Sequence, residues 1–236
     1  MTFDLFNLVW PWMGLGGAVV LLFILFGTDV LGTRWHDLRW LAWLAVPVYL
    51  LHQFEEYAMN MVNGTYIIVE TFYSKSSPFA AFLETMELPL LHFPLINTVF
   101  VWIAVPMAAY LYKKNPIIGL SPYGFILANG ILHCVGSIVM GLGIVNNPGF
   151  FTGTLIFIPL TIWVIYICKK SNRMTTKGII IALISGFLGH IGLGSCYAFA
   201  IAGFPNLVLI ADIIVSFIPI IAAWILCKIF KIEFSC

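Results

Sequence analysis

Long apolar stretches separated by short polar ones run along the whole chain. Each stretch holds roughly 20 residues, the length that an α-helix needs to cross the ~30 Å hydrocarbon layer of a membrane. The stretches lack the period-two alternation of barrel strands, so the pattern predicts helices. The predicted spans, seven in all, cover residues 13–33, 40–62, 89–112, 117–143, 152–168, 176–200 and 206–227.

The composition supports placement in a membrane. Hydrophobic residues make up 61% of the chain, charged residues only 9%, and the mean hydropathy is +1.03. We therefore predict one all-α domain over residues 1–236, a polytopic bundle of about seven helices. The first apolar stretch follows neither a positive charge nor a small-residue cleavage site, which predicts a retained helix and not a signal peptide. Trp10 and Trp12 are then expected to be interface anchors.

The distribution of lysine and arginine predicts the orientation of the bundle. Ten of the eleven basic residues fall in alternate loops or in the C-terminal tail, and Lys75 alone falls on the other side. Basic loops remain in the cytoplasm. We therefore expect an N-terminus outside and a C-terminus inside, in what we expect to be a bacterial cytoplasmic membrane.

Three ionisable residues, a histidine and two glutamates, lie close together in the stretch LHQFEEY of the second predicted span. On a helix, Glu55 lies about 60° to one side of His52 and Glu56 about 40° to the other, so the three groups share a face. A charged side chain at the bilayer centre costs at least ~2.5 kcal/mol. These carboxyl groups must therefore be neutral, paired or bound to metal. The neighbouring spans contain no lysine or arginine, which leaves histidines, water or a metal ion as partners.

Two further spans carry histidines at a similar mid to outer depth. Asn129 and His133 stand four residues apart, so an amide and an imidazole point the same way. Asn129 is expected to orient a ligand or the substrate from outside the ligand set. His190 is set among glycines in SGFLGHIGLGS, where close helix packing is expected around Gly186.

The outer ends of two spans supply additional ionisable groups. His92 lies between Pro89 and Pro94, and Asp212 lies close to the outer end of the seventh span. We expect both groups to support the ligands or to contact the substrate. For Asp212, solvation at the membrane surface is the alternative.

The order of these motifs matches a known pattern. His52-x-x-Glu55-Glu56, followed by Asn129-x-x-x-His133 and then His190, resembles the HXXEE-motif family of integral membrane proteins. That family has no established biochemical activity. The resemblance therefore implies candidate residues and no reaction.

Together these residues predict an intramembrane metal-dependent enzyme. His52, His133 and His190 are the expected imidazole ligands of one divalent ion. One of Glu55 and Glu56 is expected to be a further ligand, and the other the general base that takes a proton from the attacking water. Zinc suits this set best, and iron is the second choice.

The depth of the site predicts a lipid or another amphiphilic small molecule as substrate, and no nucleic-acid partner. We expect hydrolysis first and oxidation second. A proton-coupled or metal-ion transporter could use the same residues, as could a metal-free cyclase or isomerase that uses a neutral glutamic acid as its proton donor. The loop from Asn63 to Leu88 is a candidate lid. The sequence predicts no oligomeric state.

Overall fold

The computed structural model describes residues 5–28, 32, 34–59, 64, 88–89, 91–139 and 147–232. These residues fold almost entirely as helices. The candidate lid lies outside the described residues, apart from Gly64 and Leu88 at its ends. The helices follow one another as α1 (Leu5–Gly27), α2 (Leu38–Tyr57), α3 (His92–Leu111), α4 (Pro116–Leu120), α5 (Pro122–Val139), α6 (Phe151–Lys170), α7 (Thr176–Ile201), α8 (Pro205–Ser216) and α9 (Ile218–Ile229).

Every predicted span contains a helix, but the helices differ in their suitability for crossing a membrane. Among the described residues, five are long and apolar enough, or six if α8 and α9 form one span bent by 51°. These are α1, α3, α4 with α5, α6 and α7. The polar residues of α2 lower its hydropathy, so it is not one of the five. The protein is therefore all-α, with about five to six candidate membrane-spanning helices.

Side-chain caps define where three of the helices begin. The Asp37 carboxylate accepts a hydrogen bond from the Arg39 amide at the start of α2, at 2.9 Å. Asn115 caps α4, and Thr175 caps α7 through the Gly178 amide. Such caps satisfy amides that have no partner within the first turn of a helix.

Helix α2 lies at the centre of the bundle and is buried along most of its length. It packs against α1, α3 and α6. Polar contacts hold it in place: the Tyr123 hydroxyl donates to the Leu41 carbonyl at 2.6 Å, and the Gln53 amide donates to the Asn97 carbonyl at 2.9 Å. The Trp102 indole donates in turn to the Gln53 side-chain oxygen. The stretch LHQFEEY therefore faces protein and not lipid.

Trp10 is not the interface anchor that the sequence predicts. It is fully buried, and its ring centroid lies 5.1 Å from that of Tyr57. Trp12, two residues later, remains 40% exposed. The tertiary contact with α2 removes Trp10 from the lipid interface, which a pattern along α1 alone does not reveal.

Two glycines allow α5 and α7 to cross closely, as predicted for Gly186. A Cβ atom on Gly186 would overlap the backbone of Ser121 and Phe125, and one on Gly124 would overlap the Leu183 carbonyl. Small residues at helix crossings are the usual way in which membrane helices bring their backbones together.

We expect Gly186→Ala to destabilise the protein by about 1–3 kcal/mol, because the added methyl group meets backbone that cannot rotate away. Gly194→Ala is the matched control in the same helix, since a Cβ atom there would meet nothing within 4 Å. Thermal unfolding in detergent measures both variants. Equal melting temperatures would contradict the close crossing.

Candidate metal centre

Three ionisable side chains from α2 and α5 converge near one end of the bundle. His52 Nε2 lies 3.5 Å from one carboxylate oxygen of Glu56, and His133 Nε2 lies 3.8 Å from the other. One ligand atom from each residue lies within 4.8 Å of the other two. The His52 side chain is completely buried, whereas those of Glu56 and His133 keep 18% and 12% exposure. The group is therefore deep but open on one side.

The hydrogen bonds of His52 define which ring nitrogen carries the proton. The Thr152 hydroxyl donates its only hydrogen to Glu55 Oε2. Towards His52 Nδ1, 2.7 Å away, the same hydroxyl must therefore accept. Nδ1 then carries the proton, and Nε2 presents a lone pair towards Glu56. Among the described residues, this buried Nε2 has no hydrogen-bond partner.

A different residue defines the tautomer of His133 in the same way. Asn147 donates from Nδ2 to the His133 carbonyl and to Ser137 Oγ, each at 2.7 Å. A carbonyl can only accept, so the other Asn147 atom, 3.1 Å from His133 Nδ1, is its oxygen. His133 Nδ1 therefore carries the proton, and the Nε2 lone pair faces Glu56.

The result is a convergence of hydrogen-bond acceptors. Two imidazole lone pairs face one carboxylate, and neither nitrogen has a proton to donate to it. The separations of 3.5 and 3.8 Å also exceed the usual length of a hydrogen bond. Acceptors that converge in a buried site need a proton or a cation between them. Apart from Lys177 at the start of the sixth span, the predicted spans contain no lysine or arginine, so a proton on one of the three groups, a water molecule or a metal ion is left to satisfy them.

A glycine lies directly against both imidazoles. A Cβ atom on Gly149 would come within 2.7 Å of Cε1 of His52 and of His133. The backbone of Gly149 also has φ +82°, a left-handed conformation that favours glycine. Both the close approach and the backbone conformation therefore require this residue type.

Glu55 lies in the same motif but has a different environment. Its two carboxylate oxygens accept hydrogen bonds from the Phe151 amide at 2.9 Å and the Thr152 amide at 2.7 Å, besides the Thr152 hydroxyl. These amides belong to the first turn of α6, where free N–H groups and the helix dipole favour a negative charge. Glu55 therefore caps α6 and is not part of the three-residue group, in contrast to the expected role as ligand or base.

His190 and Asn129 lie near the group without joining it. The His190 ring packs on Phe125, with centroids 4.7 Å apart, and interacts electrostatically with His52 and His133. The expected third imidazole ligand is therefore a neighbour of the site in this arrangement. Asn129 lies beside His52, and its amide points to the Tyr49 hydroxyl at 3.5 Å.

His92 and Asp212 pair with each other and do not belong to the three-residue group. His92 Nδ1 lies 2.9 and 3.1 Å from the two oxygens of Asp212, and both side chains are completely buried. The alternative of a solvated Asp212 is therefore wrong. Tyr197 meets the His92 ring edge to face, with centroids 5.3 Å apart.

Sequence reasoning missed the segment that organises the centre. Asn147, Gly149 and Thr152 orient or contact both imidazoles. The signal was present as NNPGFFTG, a polar turn with an Asn-Pro-Gly sequence immediately before an apolar span. That pattern indicates only a turn, because nothing in it identifies residues about a hundred positions away as partners.

We expect Thr152→Val to destabilise the protein by about 1–3 kcal/mol, because it leaves His52 Nδ1 unpaired and removes one bond to Glu55. Thr161→Val is the matched control. The Thr161 hydroxyl is also buried in α6 and has no partner among the described residues, so its loss should change stability by less than about 1 kcal/mol. Thermal unfolding in detergent compares the two, and equal effects would contradict the role assigned to Thr152.

The comparisons with known proteins agree with the motif. A family model described as a protein of unknown function with HXXEE motif matches residues 43–164, a little over half of the chain. No curated protein and no solved structure matches the chain. The matched region contains the three converging residues, Glu55 and the NNPGFFTG segment. The chain belongs to the HXXEE-motif family, a family of unknown function.

Proposed function

We propose that His52, His133 and Glu56 bind one divalent metal ion, and that the protein is a membrane-embedded enzyme that hydrolyses a lipid-like or amphiphilic substrate. The convergence of two imidazole lone pairs on one carboxylate carries this proposal. A metal ion would satisfy all three acceptors at once. The tautomers of both histidines are the ones that a ligand nitrogen requires.

The chemistry of the donors favours zinc. Two imidazole nitrogens and one carboxylate, with a fourth position left for water or substrate, are a usual ligand set of hydrolytic zinc sites. Iron is the second choice, because two histidines and one carboxylate also bind non-haem iron.

Each residue near the ion receives a role from its contacts. When bound, a divalent ion polarises a carbonyl oxygen and lowers the pKa of water. Glu56 is the carboxylate ligand, and Glu55 acts through Thr152 to hold His52 in the correct tautomer. His190, near both imidazoles and outside the ligand set, is the candidate proton acceptor for the attacking water. Two protein nitrogens and one carboxylate leave a position for substrate, as in hydrolytic zinc sites.

The exposed side of the centre supports access from the bilayer. His133 and Glu56 are the partly exposed members of the group. An amphiphile could reach the centre from this partly exposed side.

A transporter is the second candidate function, and the 51° break between α8 and α9 favours it. Broken helices line the substrate sites of many secondary transporters. The converging acceptors, however, lie on α2 and α5 and not on the broken pair. A carrier would move protons or metal ions into proteoliposomes, which an enzyme need not do. The metal-free cyclase or isomerase would need no bound metal and would move no ions across the membrane.

We also propose the seven-span arrangement with the N-terminus outside and the C-terminus in the cytoplasm. The support is the ten-to-one division of basic residues. With α2 and the bent α8–α9 pair counted as spans, single cysteines at Lys113 and Lys170 should react with an impermeant maleimide only after cell lysis. Phe204→Cys should react in intact cells. All three positions are exposed, so opposite sides for Lys113 and Lys170 would refute the arrangement.

Metal content tests the proposed centre directly. Protein purified without chelator should carry about one divalent ion per chain. His52→Ala, His133→Ala and Glu56→Gln should each lower the affinity at least tenfold, because each removes a ligand. Glu55→Gln should weaken it by roughly 10–100-fold through the orientation of His52, whereas His190→Ala should retain the ion. Elemental analysis with competing chelators measures these affinities.

His36→Ala is the control, because His36 is exposed and precedes α2. Wild-type protein that carries no metal, and gains none from zinc, iron or manganese, would refute the metal centre. If His190→Ala instead lost as much metal as His133→Ala, His190 would be a metal ligand after all.

A further inference from the structure

A cavity of about 390 Å³ opens at the end of the bundle where α4 begins and α9 finishes. This volume lies within the ~300–1,000 Å³ range of sites for small molecules. The lining residues come from these two helix ends: Asn115, Trp224, Cys227, Lys228, Lys231 and Ile232. His133 lies near the other end of the Pro116–Val139 span. The cavity is therefore separate from the proposed metal centre.

The polar side chains that line the cavity present hydrogen-bond donors. Lys228 and Lys231 each carry an ammonium group, which can only donate. The Asn115 side-chain oxygen already accepts from two amides in the first turn of α4, at 2.9 and 3.3 Å. Its Nδ2 lies 3.7 Å from the sulfur of Cys227, a weak acceptor. Because the lining residues that the structure describes include no acidic side chain, the set suits an anion with several oxygens.

The cap at the end of α9 places Lys231 beside the cavity. The Ile232 amide donates to the Cys227 carbonyl at 3.0 Å, and the Lys231 amide donates to the Lys228 carbonyl at 3.2 Å. These bonds satisfy carbonyls whose partial negative charge would otherwise oppose an anion. Lys231 has φ +49°, a left-handed conformation in which glycine is the usual residue of such a cap. The cap itself needs no side chain here, so the presence of lysine indicates a role for its ammonium group.

The charge at this end of the bundle also favours an anion. By the alternation of the predicted spans, ten of the eleven lysines and arginines fall at this end, together with three acidic residues, Asp29, Asp37 and Glu233. Of these three, Asp37 lies among the residues that the structure describes. A surplus of one sign of charge raises the local concentration of ions of the opposite sign.

An apolar stripe on α9 leads to the cavity. Four residues follow the i, i+3, i+4, i+7 spacing of one helix face: Ile221, Trp224, Ile225 and Lys228. The three apolar members, which form the stripe, are 47%, 49% and 41% exposed. Lys228 Nζ lies 3.7 Å from the centroid of the Trp224 ring, and such a pair is typical of the level of lipid head groups. An anion with acyl chains fits both the cavity and the stripe, whereas a soluble phosphate fits the cavity alone.

We propose that this cavity binds the phosphate head group of an anionic phospholipid, whose acyl chains pack along the apolar stripe. Lys228 and Lys231 bind the phosphate oxygens, and Asn115 donates a further hydrogen bond. Basic pockets between membrane helices recognise such head groups in other proteins. The site shares no residue with the proposed metal centre, and neither assignment depends on the other.

Two lipids with the same acyl chains test the site. Dioleoyl phosphatidylglycerol has a net negative charge, whereas dioleoyl phosphatidylcholine has none. Native mass spectrometry of purified full-length protein, in detergent with a small fraction of either lipid, gives the two affinities. We expect at least about fivefold tighter binding of phosphatidylglycerol, and Lys228→Gln and Lys231→Gly should each weaken it about fivefold, the contribution of one lysine near anionic lipid.

Lys170→Gln is the matched control. Lys170 also lies over an aromatic ring, 5.5 Å from the centroid of Tyr166, but does not line the cavity. This variant should bind phosphatidylglycerol as tightly as the wild type. Equal affinity of the wild type for the two lipids, or equal losses in Lys228→Gln and Lys170→Gln, would overturn the proposal.

Lys231→Gly separates the role of the side chain from that of the cap. Glycine adopts φ +49° without strain, so the melting temperature should stay the same or rise while the affinity for phosphatidylglycerol falls. An unchanged affinity in this folded variant would contradict the role assigned to Lys231.

Glycerol 3-phosphate distinguishes a lipid site from a site for a soluble phosphate. It carries the charged group without acyl chains, so a large excess should leave phosphatidylglycerol bound. Displacement at concentrations similar to that of the lipid would assign the cavity to a soluble phosphate and refute the lipid site.

Discussion

The cap that Glu55 forms on α6 is the interaction on which the rest of the centre depends. A carboxylate close to the end of α2 accepts hydrogen bonds from the two free amides of Phe151 and Thr152 and so joins α2 to the first turn of α6. In a low-dielectric interior, charge-assisted bonds of this kind are stronger than neutral ones. The cap brings the Thr152 hydroxyl to His52, and it places Gly149 against both imidazoles.

Two adjacent glutamates therefore have different environments. The carboxylate of Glu55 accepts hydrogen bonds from two backbone amides and one hydroxyl, whereas that of Glu56, one residue later, faces two imidazole lone pairs. Each imidazole donates from Nδ1 to an oxygen outside the three-residue group, so both Nε2 lone pairs face Glu56. Residues outside the group therefore orient its two imidazoles.

Irregular helix geometry accompanies this chemistry. The first turns of α6, residues Phe151–Phe157, are π-helical, as is the middle of α3 at Thr98–Ala104. Such segments recur at functional sites, because the wider turn changes which side chains face a neighbour. Here the π-helical start of α6 carries Thr152 and Gly153, and a Cβ atom on Gly153 would lie 3.1 Å from the His133 ring. Local backbone geometry and the packing of the imidazoles are thus coupled.

Hydropathy alone predicted long apolar helices, because a bilayer permits few other structures for long apolar stretches, and the described residues contain five to six helices that are candidate membrane spans. Helical periodicity likewise placed His52, Glu55 and Glu56 on one face, and the motif indicated the family. Helical periodicity could not distinguish the two glutamates, since both lie within about 60° of His52. Only the tertiary structure separated them, through the amides of α6 that reach Glu55 and not Glu56. It likewise buried Trp10, paired His92 with Asp212 and left His190 outside the group of His52, Glu56 and His133. These outcomes depend on contacts between residues far apart in the chain, and periodicity within one helix contains no information about them.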